Sequence, residues 1–328
     1  NKCLGCHTCS ISCKRQWTRE EGMEHQWWAV VNTMPGKGTP KDWEGMGGGW
    51  NAAGEPNPSR IPLRDEYGDA WQFNKKEVFH GGKGVETYLA PTNPDGSKPG
   101  WGPNWDEDEG GGEYPNSHFF YLPRICNHCT HPACLEACPR GAIYKRDEDG
   151  IVLINDKQCK GFRFCMEACP YKRIYYNHVR DISQKCIFCF PRIEKGVAPA
   201  CARQCPGRLR FVGYLDDENG PIHKLVHQWK VALPLHDEYG TQPNVYYVPP
   251  LSPPRVDANG KVDPSKPRIP PGYLESLFGP RVLEVLEVIK AEKEKKARGE
   301  ASELMDTLIV YNWPEDIFPD FTVDPAEL

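Results

Sequence analysis

The sequence predicts an α+β fold in which two small cysteine-bearing modules are nested, one inside the other, with a long loop-rich insertion and an extended C-terminal arm. Two observations predict it. All 15 cysteines of the 328-residue chain fall in four short groups with related spacings. The chain also has 31 glycines and 32 prolines, well above the typical share of about 12 % for the two together, so much of the backbone is expected to be loop.

The cysteine groups form an internal repeat. The groups are Cys3, Cys6, Cys9 and Cys13; Cys126, Cys129, Cys134 and Cys138; Cys159, Cys165 and Cys169; and Cys186, Cys189, Cys201 and Cys205. The steps between cysteines are 3, 3 and 4 in the first group, 3, 5 and 4 in the second, and 3, 12 and 4 in the fourth. The third group has the 3, 3, 4 pattern if Phe162 takes the place of its second cysteine. Three groups end in Cys-Pro.

Iron–sulfur clusters explain the number of cysteines better than two alternatives. An odd count disfavours a disulfide framework, and fifteen thiolates do not divide into the sets of four that structural zinc uses. Three [4Fe–4S] clusters with four thiolates each and one [3Fe–4S] cluster with three use every cysteine. Phe162 then takes the position of the cysteine that would hold the fourth iron, the one that a [3Fe–4S] cluster lacks. A second reading, a hydrophobic plug beside a labile fourth iron kept by water or hydroxide, stays open.

The Cys-Pro motifs predict crossed ligation, because in two-cluster ferredoxins the cysteine before proline ligates the other cluster. The predicted sets are site 1, a [4Fe–4S] cluster at Cys3, Cys6, Cys9 and Cys205; site 2, a [4Fe–4S] cluster at Cys13, Cys186, Cys189 and Cys201; site 3, a [4Fe–4S] cluster at Cys126, Cys129, Cys134 and Cys169; and site 4, a [3Fe–4S] cluster at Cys138, Cys159 and Cys165.

The two modules are expected to be bacterial-ferredoxin-like. The outer module consists of residues 1–13, with the first cysteine group, and of 181–215, which complete it; the inner module spans 121–180. Short strands are expected after each Cys-Pro motif, at residues 151–154, 174–177 and 209–215.

The insertion at residues 14–120 is rich in tryptophan, glycine and proline. It holds eight of the chain's ten tryptophans, namely Trp17, Trp27, Trp28, Trp43, Trp50, Trp71, Trp101 and Trp105. Two interpretations stay open: anchors at a stable protein interface, or a small core of the insertion's own that shields clusters. The glycine run at 47–49 and the acidic run at 106–109 are interpreted as loops.

Residues 216–328 contain no cysteine and form the predicted C-terminal partner-binding arm. A single helix is expected near 280–298, with Leu283, Leu286 and Ile289 on one face. The remainder is rich in proline and lacks the pattern of an independent domain. An arm folded back on its own chain is the open alternative.

Several function classes are disfavoured by the sequence. With 45 acidic and 40 basic residues the net charge is −5, which does not favour nucleic-acid binding. No apolar run is long enough for a transmembrane segment. The sequence has no dinucleotide-binding motif and no phosphate-loop motif, and it contains no persuasive catalytic residue. His128 and His131, inside the second cysteine group, are interpreted as surface loop residues rather than as groups that tune a cluster. The first cysteine group begins at Cys3, only two residues after Asn1. The true N terminus is therefore expected upstream.

The sequence resembles the iron–sulfur β subunits of the DMSO-reductase-type molybdenum enzymes. The matching segments are N-K-C-L-G-C-H-T-C-S, Y-L-P-R-I-C-N-H-C-T-H-P-A-C-L-E-A-C-P, K-C-I-F-C-F-P-R-I-E-K-G-V-A-P-A-C, V-A-L-P-L-H, and G-G-G and N-W-D-E-D-E-G-G-G-E-Y-P-N in the insertion. The resemblance is greatest to the group with ethylbenzene dehydrogenase, dimethyl sulfide dehydrogenase and the selenate, chlorate and perchlorate reductases, and within it to ethylbenzene dehydrogenase. Nitrate reductases are expected to be more distant.

The resemblance implies an electron-transfer subunit without a substrate site of its own. Its expected partners are a catalytic α subunit with a molybdenum cofactor and a γ subunit with haem b. Hydrocarbon hydroxylation of the ethylbenzene type is the expected reaction of the complex, with an oxyanion reductase or a dimethyl sulfide dehydrogenase as the alternative. A free polyferredoxin-like shuttle is the further alternative.

The resemblance also implies a periplasmic location after export with the α subunit, with the cytoplasmic face of the membrane as the alternative. Direction of electron flow is not encoded in the sequence. Basic residues beside the cysteines are expected to raise cluster potentials, although most are expected to be solvated: Lys14, Arg15, Lys160, Arg163 and Lys185.

Overall fold

Short helices, long loops and two-stranded sheets make up the chain. The computed structural model describes residues 2–68, 70 and 109–327; Trp71, Trp101, Trp105 and the acidic residues 106–108 lie outside the described residues. The α-helices are α1 (Thr8–Trp17), α2 (Ala133–Glu136), α3 (Phe164–Ala168), α4 (Phe190–Ile193), α5 (Ala200–Arg203), α6 (Pro221–His223), α7 (Pro271–Phe278), α8 (Val282–Ala297) and α9 (Glu303–Ile309). The antiparallel pairs are β1 (Val30–Met34) with β2 (Phe120–Arg124), β3 (Ile143–Lys145) with β4 (Val152–Ile154), β5 (Ile174–Asn177) with β6 (Ile182–Lys185), β7 (Leu233–Pro234) with β8 (Tyr246–Tyr247), and β9 (Pro254–Val256) with β10 (Val262–Pro267). Within these described ranges, no helix combines the length and the apolar character that crossing a membrane requires.

Two of the three strands expected after the Cys-Pro motifs are present, as β4 and β5, each in a hairpin with a neighbouring strand. The third, at 209–215, is wrong, because these residues form no strand. The Val212 N–H instead donates to the carbonyl of Ile317, 3.0 Å away, in the C-terminal part of the chain. The outer cysteine groups therefore lack the hairpin that accompanies the inner ones.

One antiparallel pair of strands joins the early part of the insertion to the residues at its end. Strand β1 pairs with β2 in a register that runs from Val30 opposite Arg124 to Met34 opposite Phe120. Since β2 ends just before Cys126, this pairing leads the chain out of the insertion and directly into the second cysteine group.

The C-terminal residues pack into the same hydrophobic core as the inner cysteine groups, which corrects the expectation of an extended arm. Buried members of this core come from three parts of the chain: Met34 and Trp43; Ile143, Val152 and Ile174; and Leu225, Leu235, Leu274, Val285 and Leu304. Burying an aliphatic side chain of this size is worth about 1.5–3 kcal/mol. The apolar side chains of this segment are thus more stable in the core than on an open arm.

Helix α8 lies where the sequence predicts a helix, but its buried face differs by one residue from the expected one. Val282, Val285, Leu286 and Ile289 are buried, whereas Leu283 is 38 % exposed. The buried positions follow the i, i+3, i+4, i+7 pattern of one helix face, and Leu283 lies about 100° away from Val282 around the axis.

The tryptophans of the insertion that the structure describes pack inward. Trp27, Trp28 and Trp43 are buried, and Trp17 and Trp50 are half-buried. The ring of Trp43 lies 3.5 Å from the guanidinium carbon of the buried Arg124. For these five residues the structure agrees with a core that packs against the cysteine-bearing segments rather than with exposed anchors.

The glycine run at 47–49 lies against the end of α3. The Gly49 N–H donates to the carbonyl of Ala168 at 2.9 Å, and the Ser59 hydroxyl donates to the carbonyl of Glu167. At Gly48, whose φ is +107°, an added Cβ would stand 2.8 Å from the carbonyl oxygen of Ala168. The loop therefore needs glycine here, because the backbone that precedes Cys169 passes so close.

We expect Gly48→Ala to lower the free energy of unfolding by about 2–4 kcal/mol, the sum of left-handed strain and overpacking against α3. Gly54→Ala is the matched control, since Gly54 has a φ of +77° and nothing within 4 Å of an added Cβ. In this control the free energy of unfolding should fall only by the cost of left-handed backbone strain, about 1–2 kcal/mol. Thermal unfolding followed by tryptophan fluorescence compares the two, and equal losses would show that the contact with α3 contributes nothing.

Candidate metal centres

Four cysteines from the two ends of the cysteine-bearing region line one cavity of about 320 Å³. Cys3, Cys6 and Cys9 come from the loop before α1 and its first turn, and Cys205 follows α5. Helix α1 packs on α5, which brings these distant groups together. The other walls are largely apolar, with Leu4, Val31, Pro123, Pro206 and Leu209. The cavity brings together all four cysteines predicted for site 1.

A second cavity, of about 310 Å³, is lined by Cys126, Cys129, Cys134 and Cys169, the set predicted for site 3. Three of these cysteines belong to the second group, and Cys169 follows α3 in the third group. Helices α2 and α3 are in contact, which places the two groups side by side. Apart from the cysteines, the walls include Pro132, Val152, Tyr171, Arg173 and Ile174.

The cysteines predicted for site 2 and site 4 also meet. Burial, together with the nearby thiols of Cys186, Cys189 and Cys201, raises the pKa of Cys13 well above its usual value. Burial, with Cys159 and Cys138 nearby, raises the pKa of Cys165 to about 11. Each predicted set is therefore assembled in space from at least two of the four groups.

The four sets follow one another in numerical order. Thiols of neighbouring sets are close enough to interact electrostatically: Cys9 with Cys13 and Cys201, Cys186 with Cys126, and Cys169 with Cys165. Site 1 thus adjoins site 2, site 2 adjoins site 3, and site 3 adjoins site 4. The series has two ends, at site 1 and at site 4.

The sequence repeat is also a repeat of backbone conformation. In every group the second residue after the first cysteine has a left-handed φ: +65° at Gly5, +43° at His128, +65° at Gly161 and +50° at Phe188. A left-handed residue in such a turn points successive N–H groups into one concavity, an arrangement that many iron–sulfur sites use. The residue that follows this turn is Cys6, Cys129, Phe162 and Cys189, respectively. Phe162 therefore occupies the second-cysteine position in structure as well as in spacing, and its side chain is 55 % exposed.

The chemistry of these sets fits iron–sulfur clusters. Buried thiols with raised pKa values stay protonated at neutral pH unless a cation stabilises the thiolate, and bound iron supplies that positive charge. The sets consist of cysteine alone, the ligand of such clusters. Across residues 2–68, 70 and 109–327, no three His, Cys, Asp or Glu side chains are arranged to hold a single metal ion.

Hydrogen-bond donors point at several of the sulfur atoms. The Trp17 indole N–H donates to Cys189 Sγ at 3.0 Å, and the Arg210 Nη2 donates to Cys9 Sγ at 3.3 Å. Backbone N–H groups donate to Cys138, Cys159 and Cys186, from Ala142, Ser183 and Phe188 at 3.3–3.4 Å. Donors of this kind stabilise a thiolate over a thiol and raise the potential of a cluster that the thiolate ligates. No sequence signal marked Trp17 or Arg210 for this role.

The five basic residues noted in the sequence divide into two kinds. Lys14 and Lys185 are buried, whereas Arg15, Lys160 and Arg163 are exposed, as expected for solvated charges. Lys14 Nζ donates to the carbonyls of Met23 (2.6 Å) and Gln26 (3.1 Å), and Lys185 Nζ donates to those of Val152 and Cys186. Two cations are thus held inside the protein beside cysteines.

The interpretation of both histidines as surface residues holds for only one of them. His128 is buried, and its Nδ1 accepts the N–H of Val152 at 3.1 Å. Its Nε2 is buried without a partner, and the ring lines the second cavity. His131 is exposed and stacks on Trp50 with ring centroids 4.9 Å apart.

Comparisons with known proteins agree with this geometry. A family model for a 4Fe-4S dicluster domain matches residues 117–215, which hold the second, third and fourth cysteine groups. The chain is 54 % identical to the selenate reductase subunit β of Thauera selenatis, over 95 % of this chain and 94 % of the relative. Identity is 53 % to the dimethylsulfide dehydrogenase subunit β of Rhodovulum sulfidophilum, over 96 % and 95 %.

The expectation that nitrate reductases are more distant holds for the respiratory nitrate reductase 2 beta chain of Escherichia coli, which is 36 % identical over 77 % of this chain and 68 % of the relative, but not for a third relative. The respiratory nitrate reductase subunit β of Haloferax mediterranei is 57 % identical over 94 % of this chain and 88 % of the relative, so this nitrate reductase is no more distant than the other relatives. Identity above half over nearly the whole length shows that the chain belongs to the family of iron–sulfur electron-transfer β subunits of the DMSO-reductase-type molybdenum enzymes.

Proposed function

We propose that this chain holds three [4Fe–4S] clusters and one [3Fe–4S] cluster and carries electrons between a molybdenum-containing α subunit and a haem b γ subunit or another carrier. The observation that carries the proposal is the meeting of four cysteine sets in one continuous series. Each cluster, when bound, accepts and releases single electrons. The residues of this chain hold the clusters, exclude water with apolar walls and donate N–H groups to the sulfur ligands.

The proposal includes the ligand sets of sites 1 to 4 and a nested arrangement of two modules. In it, the first and fourth cysteine groups form the outer module, and the second and third form the inner one. Support comes from the two cavities, each lined by three cysteines of one group and one of another, and from the packing of α1 on α5 and of α2 on α3.

Two substitutions in the second cysteine group distinguish crossed from uncrossed ligation. With crossed ligation, Cys138→Ala should abolish the EPR signal of the [3Fe–4S] cluster and leave the [4Fe–4S] cluster of site 3 in place. Cys134→Ala, the matched control, should remove the site 3 cluster and leave the three-iron signal. Both would be measured in the purified complex, with iron content determined alongside. Loss of the same cluster in both variants would contradict crossed ligation.

We assign the three-iron cluster to site 4 because Phe162 stands in the second-cysteine position of its group. A phenylalanine cannot ligate iron, so the set predicted for site 4 has three thiolates, those of Cys138, Cys159 and Cys165. Its lower thiolate count and apolar neighbour should give site 4 a higher potential than the [4Fe–4S] sites, since cluster type, net charge and environment set the potential.

We expect Phe162→Cys to convert the three-iron cluster into a [4Fe–4S] cluster, because the left-handed turn at Gly161 already follows the path of the other groups. The readout is loss of the EPR signal of the oxidised [3Fe–4S] cluster, with one more iron per chain. Phe164→Cys is the control, since Phe164 is 51 % exposed, close to the 55 % of Phe162, but lies outside the repeat position. A three-iron signal that persists in Phe162→Cys would refute the assignment.

The ends of the series suit contact with other subunits. Leu4, beside Cys3 in site 1, is 64 % exposed, and Phe162 and Phe164 form an exposed pair near site 4 with ring centroids 6.4 Å apart. Large exposed apolar side chains are common where proteins bind partners. In the proposal the α subunit contacts the site 1 end and the haem b subunit contacts the site 4 end.

The reaction of the complex is proposed to be oxyanion reduction or dimethyl sulfide oxidation, because the relatives reported above are named for selenate, nitrate and dimethyl sulfide. Hydrocarbon hydroxylation is supported only by the resemblance of the insertion to ethylbenzene dehydrogenase. A periplasmic site is part of the proposal, in which the thiolates are ligated before export and so survive an oxidising compartment.

Purification of the complex from its native source tests the function. We expect this chain to copurify with an α subunit that contains molybdenum. Assays of selenate, nitrate and chlorate reduction and of dimethyl sulfide and ethylbenzene oxidation then identify the reaction. Recovery of the chain as a monomer, with iron but without molybdenum, would favour the free electron shuttle instead.

A further inference from the structure

We propose that Arg210 sets the reduction potential of the cluster at site 1 and makes that cluster easier to reduce than it would otherwise be. The inference rests on the proposed ligation of site 1 by Cys3, Cys6, Cys9 and Cys205. It concerns a residue of this chain that is not itself a ligand and that acts through the sulfur atom it contacts.

The side chain of Arg210 reaches into the site 1 cavity. It forms part of the cavity wall, and its Nη2 donates to Cys9 Sγ at 3.3 Å. Its Nε is buried and has no hydrogen-bond partner. A guanidinium carries five N–H donors, and a buried donor left unpaired is destabilising. A sulfur atom of a bound cluster is an acceptor that could satisfy such a donor.

The charge of Arg210 is compensated by cysteines. Burial lowers the pKa of Arg210, whereas the neighbouring Cys9, Cys201 and Cys205, as the thiolates they would be when ligating clusters, raise it above its usual value, and no carboxylate of the described residues contributes among them. A buried arginine normally requires a paired anion. Arg210 thus occupies a position whose anion is the cysteine set itself.

The other cation near Cys205 is directed elsewhere. Lys2 Nζ donates to the carbonyls of Arg208 (2.9 Å) and Leu308 (2.8 Å). Its hydrogen atoms serve to tie the N-terminal segment to the C-terminal part of the chain. Among the residues that the structure describes, Arg210 is therefore the cationic side chain that donates a hydrogen bond directly to a cysteine sulfur of site 1.

Reduction of a cluster adds one electron and hence one negative charge to the site. A fixed positive charge and an N–H donor at a ligand sulfur both stabilise that added charge, and the potential rises. Cys201 of site 2 is also near Arg210, but the hydrogen bond is made to site 1. The effect is accordingly expected to be largest at site 1 and smaller at site 2.

The test is a redox titration of the purified complex with dithionite, followed by EPR. Arg210→Gln keeps N–H donors and removes the charge, Arg210→Met removes both, and Arg210→Lys keeps the charge. We expect the midpoint potential of one [4Fe–4S] cluster to fall in Arg210→Gln and further in Arg210→Met, and to be largely restored in Arg210→Lys. The potentials of sites 3 and 4 should stay unchanged.

Arg203→Met is the matched control. Arg203 lies between Cys201 and Cys205 in sequence, but it pairs with Asp324 at 3.4 Å and lies over Trp313 at 5.7 Å. Its removal should leave all four potentials unchanged. If Arg210→Met fails to assemble, Arg210→Gln and Arg210→Lys at full iron content decide the question.

Unchanged potentials in Arg210→Gln, or an equal shift in Arg203→Met, would overturn the inference. Neither result would affect the proposed function, whose failure would be visible in the wild-type complex as the absence of the four clusters. A shift that is largest at one [4Fe–4S] cluster, is absent at sites 3 and 4, and is reversed by lysine supports the role of Arg210.

Discussion

The structure depends on one constraint, that cysteines far apart in the chain must meet around shared cavities. Cys205 joins Cys3, Cys6 and Cys9, and Cys169 joins the second group. Elsewhere in the series, burial and neighbouring thiols raise the pKa of Cys13 and of Cys165, which keeps these two thiols protonated in the absence of a bound cation. Because bound iron reverses this balance, cluster binding and folding of these segments are expected to be coupled. The short helices α1, α2, α3 and α5 serve to place the sulfur atoms.

Buried arginine and lysine side chains hold loops of this chain together by donating hydrogen bonds to segments that are distant in sequence. Arg124 donates to Asn32 Oδ1 (3.0 Å) and to the carbonyl of Tyr171 (2.8 Å), joining the insertion to the third cysteine group. Lys172 donates to the hydroxyl of Ser59 and the carbonyl of Glu167, each at 2.8 Å. Burial lowers the pKa of Lys172 to about 8, so holding this charge has a cost. Loop carbonyls left unpaired inside the protein would cost more.

The sequence predicted the parts of the site that depend on local spacing. Cysteine steps of three and four residues determine which residues surround one turn, and the position of Phe162 followed from that spacing. Contacts between residues that are distant in the sequence were harder to predict. The burial of His128 depends on β4, from which Val152 donates to it, and the position of Arg210 depends on how α1 and α5 pack. Likewise the fold-back of the C-terminal part follows from a core assembled from three distant segments, which no local pattern reveals.

The placement of Cys205 in the first cavity has a consequence for biosynthesis. During translation the four cysteines of the second cavity are all available once Cys169 has left the ribosome, whereas those of the first cavity, begun at Cys3, are complete only when Cys205 follows. At about 5–20 residues per second the 36 residues from Cys169 to Cys205 take about 2–7 seconds. Cys3, Cys6 and Cys9 therefore wait longer for Cys205 than Cys126, Cys129 and Cys134 wait for Cys169, so the inner set of four is complete before the outer one.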